Sequence, residues 1–432
     1  MKNEISIGLL GFGTVGSGVA KIIQQHQEDL QHKLGAKVAI RKVLVRDAGK
    51  DRISDLDPNV FTTNIEEILN DSSLDIIVEV MGGIEGARAA MEQALKSGKQ
   101  VVTANKDVMA EYGHDLLKLA DAEKCDLFYE ASVAGGIPII RTLEDGLASD
   151  RISSMMGIVN GTTNFILTKM KQEKKSYEDA LAEATELGFA EADPTADVGG
   201  LDAARKMVIL SSLAYSTEVK LDDVNIRGME TIKDGDVEMG ESLGYTMKMV
   251  GSSTKDEDGI DVSVEPIFLA NSHPLASVNN EFNAVYIYGD AVGETMLYGP
   301  GAGSLPTATS VVSDIIAACR NLLLGVNGKR EHAAQHERVI KPADKSCSKY
   351  FHRLLVDDVV GVLSKVSAIY SKHGASIQSI VQNPGTNETE GKAELILKTH
   401  EISRQQHLDV LKELEGMASL ISHYRIEGED AA

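Results

Sequence analysis

Several residue types are scarce in this sequence, and their scarcity limits what it can be. The chain has no tryptophan, 4% aromatic residues and only three cysteines. Cys125, Cys319 and Cys347 form no CxxC pair, which excludes a disulfide framework and favours a reducing cytoplasm. The 11 histidines show no clustered ligand spacing, so we expect no zinc or iron site.

Positive charge and long apolar runs are also in short supply. Lys and Arg number 43 against 65 Asp and Glu, giving a formal net charge of −22. Such an acidic chain is a poor partner for nucleic acid or an anionic membrane. We find neither a signal-peptide pattern nor an apolar run approaching the roughly 20 residues of a membrane span. The 432 residues, 43% of them hydrophobic, predict two or three globular domains in the cytoplasm.

The N-terminal segment carries a glycine motif between a predicted strand and a predicted helix. Residues 4–10 are typical of a buried strand, "GFGTVG" follows, and apolar residues then recur at helical spacing. A GxGxxG turn between strand and helix is typical of dinucleotide-binding domains, because the glycines permit a tight turn and close approach of a pyrophosphate. The motif predicts a cofactor-binding loop made of Gly11, Phe12, Gly13, Thr14, Val15 and Gly16.

Alternating strand and helix patterns continue to about residue 150. Further strands are predicted at 37–47, 74–83, 99–107 and 125–136, with helices between them. This alternation predicts a Rossmann-like, parallel, doubly wound sheet in domain 1–150, whose ligands bind beyond the carboxyl ends of the strands. The polar and glycine residues expected at those ends are Arg46, Gly82, Gly83, Asn105, Lys106, Glu130 and Ser132.

The end of the second strand bears on the choice of cofactor. Arg46 and Lys50 are cations that suit the 2′-phosphate of NADP. Asp47 could instead serve the 2′-hydroxyl of NAD. NADP is favoured, and use of NAD stays open.

The pattern changes after residue 150. Residues 151–325 predict an α+β domain that contains an acidic loop with Glu191, four antiparallel strands between 245 and 298, and a glycine loop leading into a helix. Residues 326–348 are polar and irregular, as in a linker. Residues 349–432 predict βαββαβ, a ferredoxin-like module.

An apolar helix predicted at 199–215 holds Asp202 and Lys206 four positions apart. Such a pair lies on one helical stripe and is commonly a solvated surface pair of little energetic weight. The rest of the helix is apolar enough to be buried, however, and burying an unpaired charge is costly. The alternative is therefore a functional pair.

The sequence resembles the homoserine dehydrogenases. The segments that carry this resemblance occur in family order over residues 1–325: "GLLGFGTVG", "ANKD", "EASVAGGIPII", "NGTTNFIL", "ELGFAEADPTADVGGLDAARK" and "GPGAGSLPTA". The tail, with "LLVDDVVGVLSKVSAIYSKHGASIQSIVQ", resembles an ACT domain. The resemblance implies NADPH- or NADH-dependent reduction of L-aspartate 4-semialdehyde to L-homoserine, in threonine and methionine biosynthesis.

The resemblance also implies roles for individual residues. Lys206 would transfer a proton at the substrate oxygen, Lys106 would lie beside the nicotinamide, and Asp202 and Glu191 would bind the amino acid. An alternative for Lys106 is a solvated lysine. Three glycines would lie near cofactor or substrate: Gly188, Gly301 and Gly303.

A monovalent cation site, usually for sodium, is implied as well. It would consist of Glu130 with the backbone of Val133, Gly135 and Ile137. One carboxylate plus successive carbonyls suits a hard cation, which prefers oxygen ligands. The alternative for Glu130 is a helix-capping or surface carboxylate.

Two positions depart from the family pattern. Phe189 replaces a tyrosine common in the acidic loop, and the "DxPG" turn of ACT domains reads "DVVG" at 358–361, without the proline. Feedback by L-threonine is implied for the tail, and a tail that only dimerises or stabilises the enzyme is the alternative. A homodimer or homotetramer is expected, with the sheet of the middle domain as the contact.

Two other functions remain open at this point. The first is a catalytically silent sensor of nucleotide and amino acid. Against it, Lys206, Asp202, Glu191 and Lys106 are all present. The second is another Rossmann oxidoreductase acting on an aspartate-like substrate, which the acidic loop disfavours through the resemblance alone.

Overall fold

The computed structural model describes residues 2–50, 56–190, 193–329, 334–384 and 391–428. Two compact units emerge, and each collects separate stretches of the chain. Unit 1 comprises Met1–Ile152, Arg205–Asp222 and Asn283–Glu337. Unit 2 comprises Ser153–Ala204, Asp223–Phe282 and Arg338–Ala432.

The strands are numbered in chain order: β1 Glu4–Leu10, β2 Lys37–Leu44, β3 Phe61–Thr62, β4 Ile76–Glu79, β5 Gln100–Thr103, β6 Leu127–Phe128, β7 Ile152–Ile158, β8 Val224–Ile226, β9 Tyr245–Asp256, β10 Gly259–Ala270, β11 Phe282–Gly289, β12 Gly293–Pro300, β13 Cys347–Asp357, β14 Ile377–Pro384, β15 Lys392–Thr399, β16 Ile402–Ser403 and β17 Ser419–Glu427. The helices are α1 Thr14–Gln25, α2 Gln27–Leu34, α3 Glu66–Leu69, α4 Glu85–Lys96, α5 Lys106–Glu123, α6 Ile139–Arg141, α7 Gly161–Glu173, α8 Tyr177–Glu186, α9 Thr195–Val198, α10 Leu201–Ala214, α11 Asp236–Ser242, α12 Ser304–Leu324, α13 Val362–Lys372 and α14 Arg404–Leu414.

Unit 1 is built on a six-stranded parallel sheet in the order β3-β2-β1-β4-β5-β6. Its central strands β1, β4 and β5 are buried along most of their length, as expected of a sheet covered on both faces. A Cβ on Gly18 of α1 would lie 2.9 Å from the Ser304 hydroxyl of α12, so these two helices approach closely. The predicted Rossmann-like sheet is confirmed.

Helix α12 qualifies the prediction about apolar runs. With 21 residues it is long and apolar enough to cross a membrane by length and composition alone. Its apolar side belongs to the core of unit 1, where Val311 and Ile315 are buried beside the parallel sheet. A core helix passes the same test, so the finding is weak support for a membrane span.

Unit 2 contains a mixed sheet in the order β7-β9-β10-β17-β13-β15-β14. The C-terminal elements β13, α13, β14, β15, α14 and β17 follow the predicted βαββαβ order, with a short β16 in addition. Strand β17 pairs antiparallel with β13 on one side and parallel with β10 on the other. The tail therefore extends the sheet of unit 2, and the predicted boundaries at 150, 325 and 348 stay a prediction about sequence segments.

Two predicted elements of unit 1 differ from the structure. The strand expected over 125–136 is limited to β6, after which Glu130–Ser132 form a short 3-10 turn. The strand expected over 99–107 ends at Thr103, and Lys106 begins α5. In both places, residues that we predicted as strand serve as the turn that follows it.

Candidate active site

The three glycines of the GxGxxG loop lie in different structural environments. Gly11 has a φ of +104°, and a Cβ there would lie 2.7 Å from the Val80 carbonyl oxygen. A Cβ on Gly16 would lie 2.3 Å from the Gly11 oxygen. At Gly13, by contrast, no described heavy atom lies within 4 Å of the Cβ position. The fold itself requires Gly11 and Gly16, whereas Gly13 leaves open space at the loop surface.

That space lies at the N-terminus of α1. Gly13 is the N-cap residue, and among the described residues no side chain caps the helix. Ser17 donates to the Gly13 carbonyl oxygen through its backbone N–H (3.0 Å) and its hydroxyl (2.8 Å). Exposed first-turn N–H groups and the helix dipole make such a terminus an anion site. The loop fits the pyrophosphate of a dinucleotide.

Neighbouring groups hold this loop in place. The Ser304 hydroxyl donates to the Thr14 carbonyl oxygen over 2.7 Å. The Phe12 ring packs edge-on against Phe61, with 5.2 Å between ring centroids. Val15, like Phe12, packs half-buried against the core of unit 1.

The residues after β2 are exposed. Arg46 and Lys50 lie at the surface, as a site for a 2′-phosphate would need. An Asp47 carboxylate oxygen accepts from the backbone N–H of Gly49 over 2.9 Å, so part of its capacity is used within its own turn.

A buried network orders the ends of β4 and β5. Glu79 is 0% exposed; its Oε1 accepts from the backbone N–H of Met81 (2.8 Å), and its Oε2 accepts from the Thr103 hydroxyl (2.7 Å). The Thr103 hydroxyl oxygen in turn accepts from the backbone N–H of Asn105 (3.0 Å). Burial raises the pKa of Glu79. The sequence pattern does not single out Glu79 and Thr103, because both lie within strand segments.

Asn105 connects that network to the glycine pair. Its side-chain oxygen accepts from the backbone N–H of Val108, capping α5, and its amide nitrogen donates to the Gly83 carbonyl oxygen over 2.8 Å. Gly82 and Gly83 have φ values of +75° and +77°, and no described atom lies within 4 Å of either Cβ position. Half-buried Lys106 follows directly as the first residue of α5. Gly82, Gly83, Asn105 and Lys106, all predicted to lie near the cofactor, thus lie together at one edge of the sheet.

Glu130 has a clear structural role. It is 3% exposed, and its two carboxylate oxygens accept from the backbone N–H groups of Ile140 (2.7 Å) and Arg141 (2.9 Å) at α6. Asp314 of α12 accepts from the backbone N–H of Glu130 (2.8 Å) and from the Arg141 guanidinium (2.9 Å). Burial raises the pKa of Glu130, and it raises the pKa of Asp314 to about 8. The helix-capping alternative for Glu130 is therefore supported.

The turn after Glu130 carries the carbonyls predicted to bind a cation. Ala134 and Gly135 have positive φ values of 53° and 46°. The Gly135 oxygen accepts from the Ser310 hydroxyl (2.7 Å), and the Ile137 oxygen accepts from the backbone N–H of Ile139 (2.8 Å). Each carbonyl has a second lone pair, so a cation is still compatible with this turn.

Two further observations bear on the same turn. Ser132, predicted to bind cofactor, is buried and donates its hydroxyl to the Tyr129 carbonyl oxygen over 2.6 Å. Within the described ranges there is no cluster of three or more His, Cys, Asp or Glu side chains that could hold a metal ion. A cation at this turn would depend mainly on backbone oxygens, including that of Val133.

The second glycine loop precedes α12. A Cβ on Gly301 would lie 2.1 Å from the Asn283 side chain, so only glycine fits there. Gly303 has a φ of +121° and is the N-cap residue of α12. The loop is thus fixed by packing, which explains its glycines without a ligand.

Asp202 is buried in a small polar cluster of unit 2. It is 7% exposed, and its Oδ2 accepts from the side-chain amide of Asn160 over 2.9 Å. The same amide nitrogen donates to Asp197 over 2.7 Å. This arrangement excludes the solvated surface pair for Asp202.

The acidic loop leading to this cluster is described in part. Gly188 has a φ of +78°, with no described atom within 4 Å of its Cβ position. Phe189 packs against Phe165, with 4.9 Å between centroids, and its carbonyl oxygen accepts from the Thr162 hydroxyl over 2.6 Å. Glu191, predicted to bind the amino acid, lies outside the described residues.

Helix α10 carries both Asp202 and Lys206. Lys206 is half-buried one turn after Asp202, and the neighbouring Ala203, Ala204 and Met207 are buried. Residues i and i+4 lie on one face of a helix. The helix therefore carries an acid and an amine on one face.

Family models match most of this chain. The model described as homoserine dehydrogenase matches residues 138–316, and that described as homoserine dehydrogenase, NAD binding domain, matches residues 11–130. The homoserine dehydrogenase of Bacillus subtilis (strain 168) is 52% identical over 427 residues, which cover 98% of this chain and 98% of that protein. The chain belongs to the homoserine dehydrogenase family.

Solved structures of homoserine dehydrogenases agree with this assignment. One from Thiobacillus denitrificans superposes with a TM-score of 0.89 at 34% identity, covering 98% of each chain. A hyperthermophilic archaeal homoserine dehydrogenase in complex with NADPH gives a TM-score of 0.61 at 29% identity, covering 73% of this chain and 97% of that one. The prediction of an oxidoreductase with an NAD-binding domain is confirmed.

In this chain, the sequence pattern does not reveal the hydrogen-bond partners of the predicted residues. Asn160, which contacts Asp202, lies 42 positions before it in the chain, and Asp314, which contacts Glu130, lies 184 positions after it. The "NGTTNFIL" segment contains Asn160 and was a usable signal. We found no comparable signal for Asp314, which lies inside an apolar helix.

Proposed function

We propose that this enzyme reduces L-aspartate 4-semialdehyde to L-homoserine with NADPH, and that it also accepts NADH. The enzyme would act in the cytoplasm, in threonine and methionine biosynthesis. The observation that carries the proposal is α10, where buried Asp202 and half-buried Lys206 share one face. A solvated pair would have left both groups at the surface.

The proposed cofactor site combines the features of unit 1. The uncapped first turn of α1, with open space at Gly13, would bind the pyrophosphate. Exposed Arg46 and Lys50 would bind the 2′-phosphate. Gly82, Gly83 and Asn105 would form the edge toward the nicotinamide, with Lys106 beside it.

The chemistry follows from the charge that the reaction creates. When bound, the reduced nicotinamide supplies a hydride to the aldehyde carbon. Negative charge then develops on the aldehyde oxygen, where the Lys206 ammonium donates a proton and forms the hydroxyl of homoserine. The neutral amine left on Lys206 regains a proton from water. Asp202, with Glu191, would hold the α-ammonium of the substrate so that the aldehyde faces Lys206.

Absorbance at 340 nm tests this function directly. Purified enzyme with L-aspartate 4-semialdehyde should consume NADPH faster than NADH at equal concentration. Lys206→Ala should lower kcat by about 10²- to 10⁴-fold, the range for a lost general acid. Lys118→Ala, which removes an exposed lysine of α5, is the matched control and should keep full activity. An unchanged rate for Lys206→Ala would refute the assignment.

Three finer features complete the proposal. A monovalent cation, sodium by preference, would bind at Glu130 with the carbonyls of Val133, Gly135 and Ile137. L-Threonine would bind the ACT-like tail and inhibit the enzyme. The enzyme would form a homodimer or homotetramer. Titration with NaCl against choline chloride, inhibition by L-threonine and light scattering test these features in turn.

A further inference from the structure

Asn160 occupies an unusual hydrogen-bonding position between β7 and α7. It is 5% exposed, and its Nδ2 donates to Asp197 Oδ1 (2.7 Å) and Asp202 Oδ2 (2.9 Å). Its Oδ1 accepts from the backbone N–H of Thr163 over 2.9 Å. Since only the amide oxygen can accept that N–H, the orientation of the amide is fixed. Both amide hydrogens therefore point at carboxylates.

A neutral donor between two carboxylates has a particular electrostatic effect. Hydrogen bonds from an amide stabilise the ionised form of a carboxylate and fix its direction. A lysine or arginine in the same place would also neutralise one of the two charges. Asn160 thus orients Asp197 and Asp202 and, being neutral, adds no positive charge of its own to compensate them.

We infer that Asn160 is a positioning residue for substrate binding: its amide holds the Asp202 carboxylate, with Asp197 beside it, in the orientation that receives the α-ammonium of the amino-acid substrate. The inference rests on the proposed function and adds a specificity determinant to it. Asn160 itself acts through the carboxylates. Its loss should reduce the preference for a substrate that carries an amino group.

The second task of Asn160 must be separated from the first, because it also caps α7. Asn160→Asp keeps an oxygen that can accept the Thr163 N–H and replaces the amide donor by a third carboxylate. Asn160→Ser also keeps a capping oxygen, on a side chain too short to reach both carboxylates. Ser176→Ala is the matched control, since it removes only the cap of α8 in the same unit, a 3.1 Å bond to the Asp179 N–H.

The experiment compares two aldehydes that differ by the amino group. For each variant, kcat and KM are measured with L-aspartate 4-semialdehyde and with its deaminated analogue, succinic semialdehyde, and the melting temperature is recorded. Both Asn160 variants should raise KM for L-aspartate 4-semialdehyde about 10- to 100-fold, as expected for lost hydrogen bonds to charged groups. kcat and KM for NADPH should stay near wild type. The ratio of kcat/KM between the two aldehydes should fall by the same factor.

The outcomes separate this inference from the proposed function. An unchanged ratio, or an equal loss of kcat/KM for both aldehydes, overturns the role of Asn160 while the wild-type activity stands. Wild-type enzyme that does not turn over L-aspartate 4-semialdehyde overturns the proposed function and this inference with it. Ser176→Ala should lower the melting temperature without changing the ratio. If Asn160→Asp does not fold, Asn160→Ser decides the question.

Discussion

Lys248 of β9 is a buried amine whose charge should make stability depend on pH. It is 1% exposed, and its Nζ donates to Asn164 Oδ1 (3.0 Å) and to the Val278 carbonyl oxygen. Burial, with a smaller effect from the positive charge of Lys171, lowers the pKa of Lys248 to about 7. A neutral amine has two hydrogens for these two acceptors, which fits its surroundings.

The direction of this pH dependence follows from the number of protons that the folded and unfolded chains bind. Between pH 7 and pH 10.5, the unfolded chain keeps the Lys248 proton that the folded chain has lost, so the free energy of unfolding rises with pH. This stabilisation is lost as pH falls toward 7. A shift of this size predicts a gain of about 2.5 kcal/mol for the wild type between pH 7.5 and pH 9.5. Lys248→Met removes the titrating group and with it this gain.

Urea unfolding followed by far-UV circular dichroism measures the effect, since the chain has no tryptophan. Both proteins are unfolded at the two pH values, and the difference between their pH responses isolates Lys248. The variant also loses a donor to two buried acceptors, which should lower its stability by about 1–3 kcal/mol relative to wild type at pH 9.5. At pH 7.5 the variant should be more stable relative to wild type by about 2.5 kcal/mol than it is at pH 9.5, because only the wild type loses stability as the pH falls. Lys118→Met, at an exposed site, should behave like wild type. Parallel responses of wild type and Lys248→Met would refute the reasoning.

Three further substitutions test the cofactor edge and the Glu130 turn. Gly13→Val should raise KM for NADPH at least about tenfold, because the valine side chain enters open space where the pyrophosphate is proposed to bind. The melting temperature should not fall. Gly86→Ala, also in open space, is the control and should leave KM for NADPH unchanged. Thr103→Val should lower the free energy of unfolding by about 1–3 kcal/mol and raise KM for NADPH, since Glu79 and the Asn105 N–H lose a buried partner; equal stability in urea would contradict this. Asp314→Ala should cost about 2–3 kcal/mol in the same measurement, because it removes the acceptor of a buried N–H and of a guanidinium; a loss below 0.5 kcal/mol would argue against the network.

Local patterns predicted the tail well. The βαββαβ order expected over 349–432 is the order of β13, α13, β14, β15, α14 and β17. In these elements the apolar residues recur every two positions in strands and about every 3.6 positions in helices, and glycines mark the turns. The polar helix α2 is not predicted, because it has only two apolar residues, Leu30 and Leu34, and two positions define no period.

Long-range partners account for the other failures. Residues 129–136 are small and apolar enough to predict a strand, yet Asp314 and Ser310 of α12 hold them as a turn. The spacing of Asp202 and Lys206 is likewise the same in a solvated pair and in a buried cluster. The difference is Asn160, which the chain brings from another element. Spacing within one helix carries no information about such a partner.

The pairing of β17 with β10 means that the tail cannot be removed cleanly. Residues Ile267–Leu269 of β10 pair with Arg425–Glu427 of β17. The Phe268 ring packs edge-on against Phe351 and Tyr424, with 5.0 and 5.1 Å between ring centroids. A chain truncated before β13 would expose this strand edge and an aromatic side chain from the interior, a combination that promotes aggregation. Loss of activity after truncation would then report misfolding. Substitutions in the exposed Val359–Gly361 turn are the sounder way to ask whether the tail regulates the enzyme.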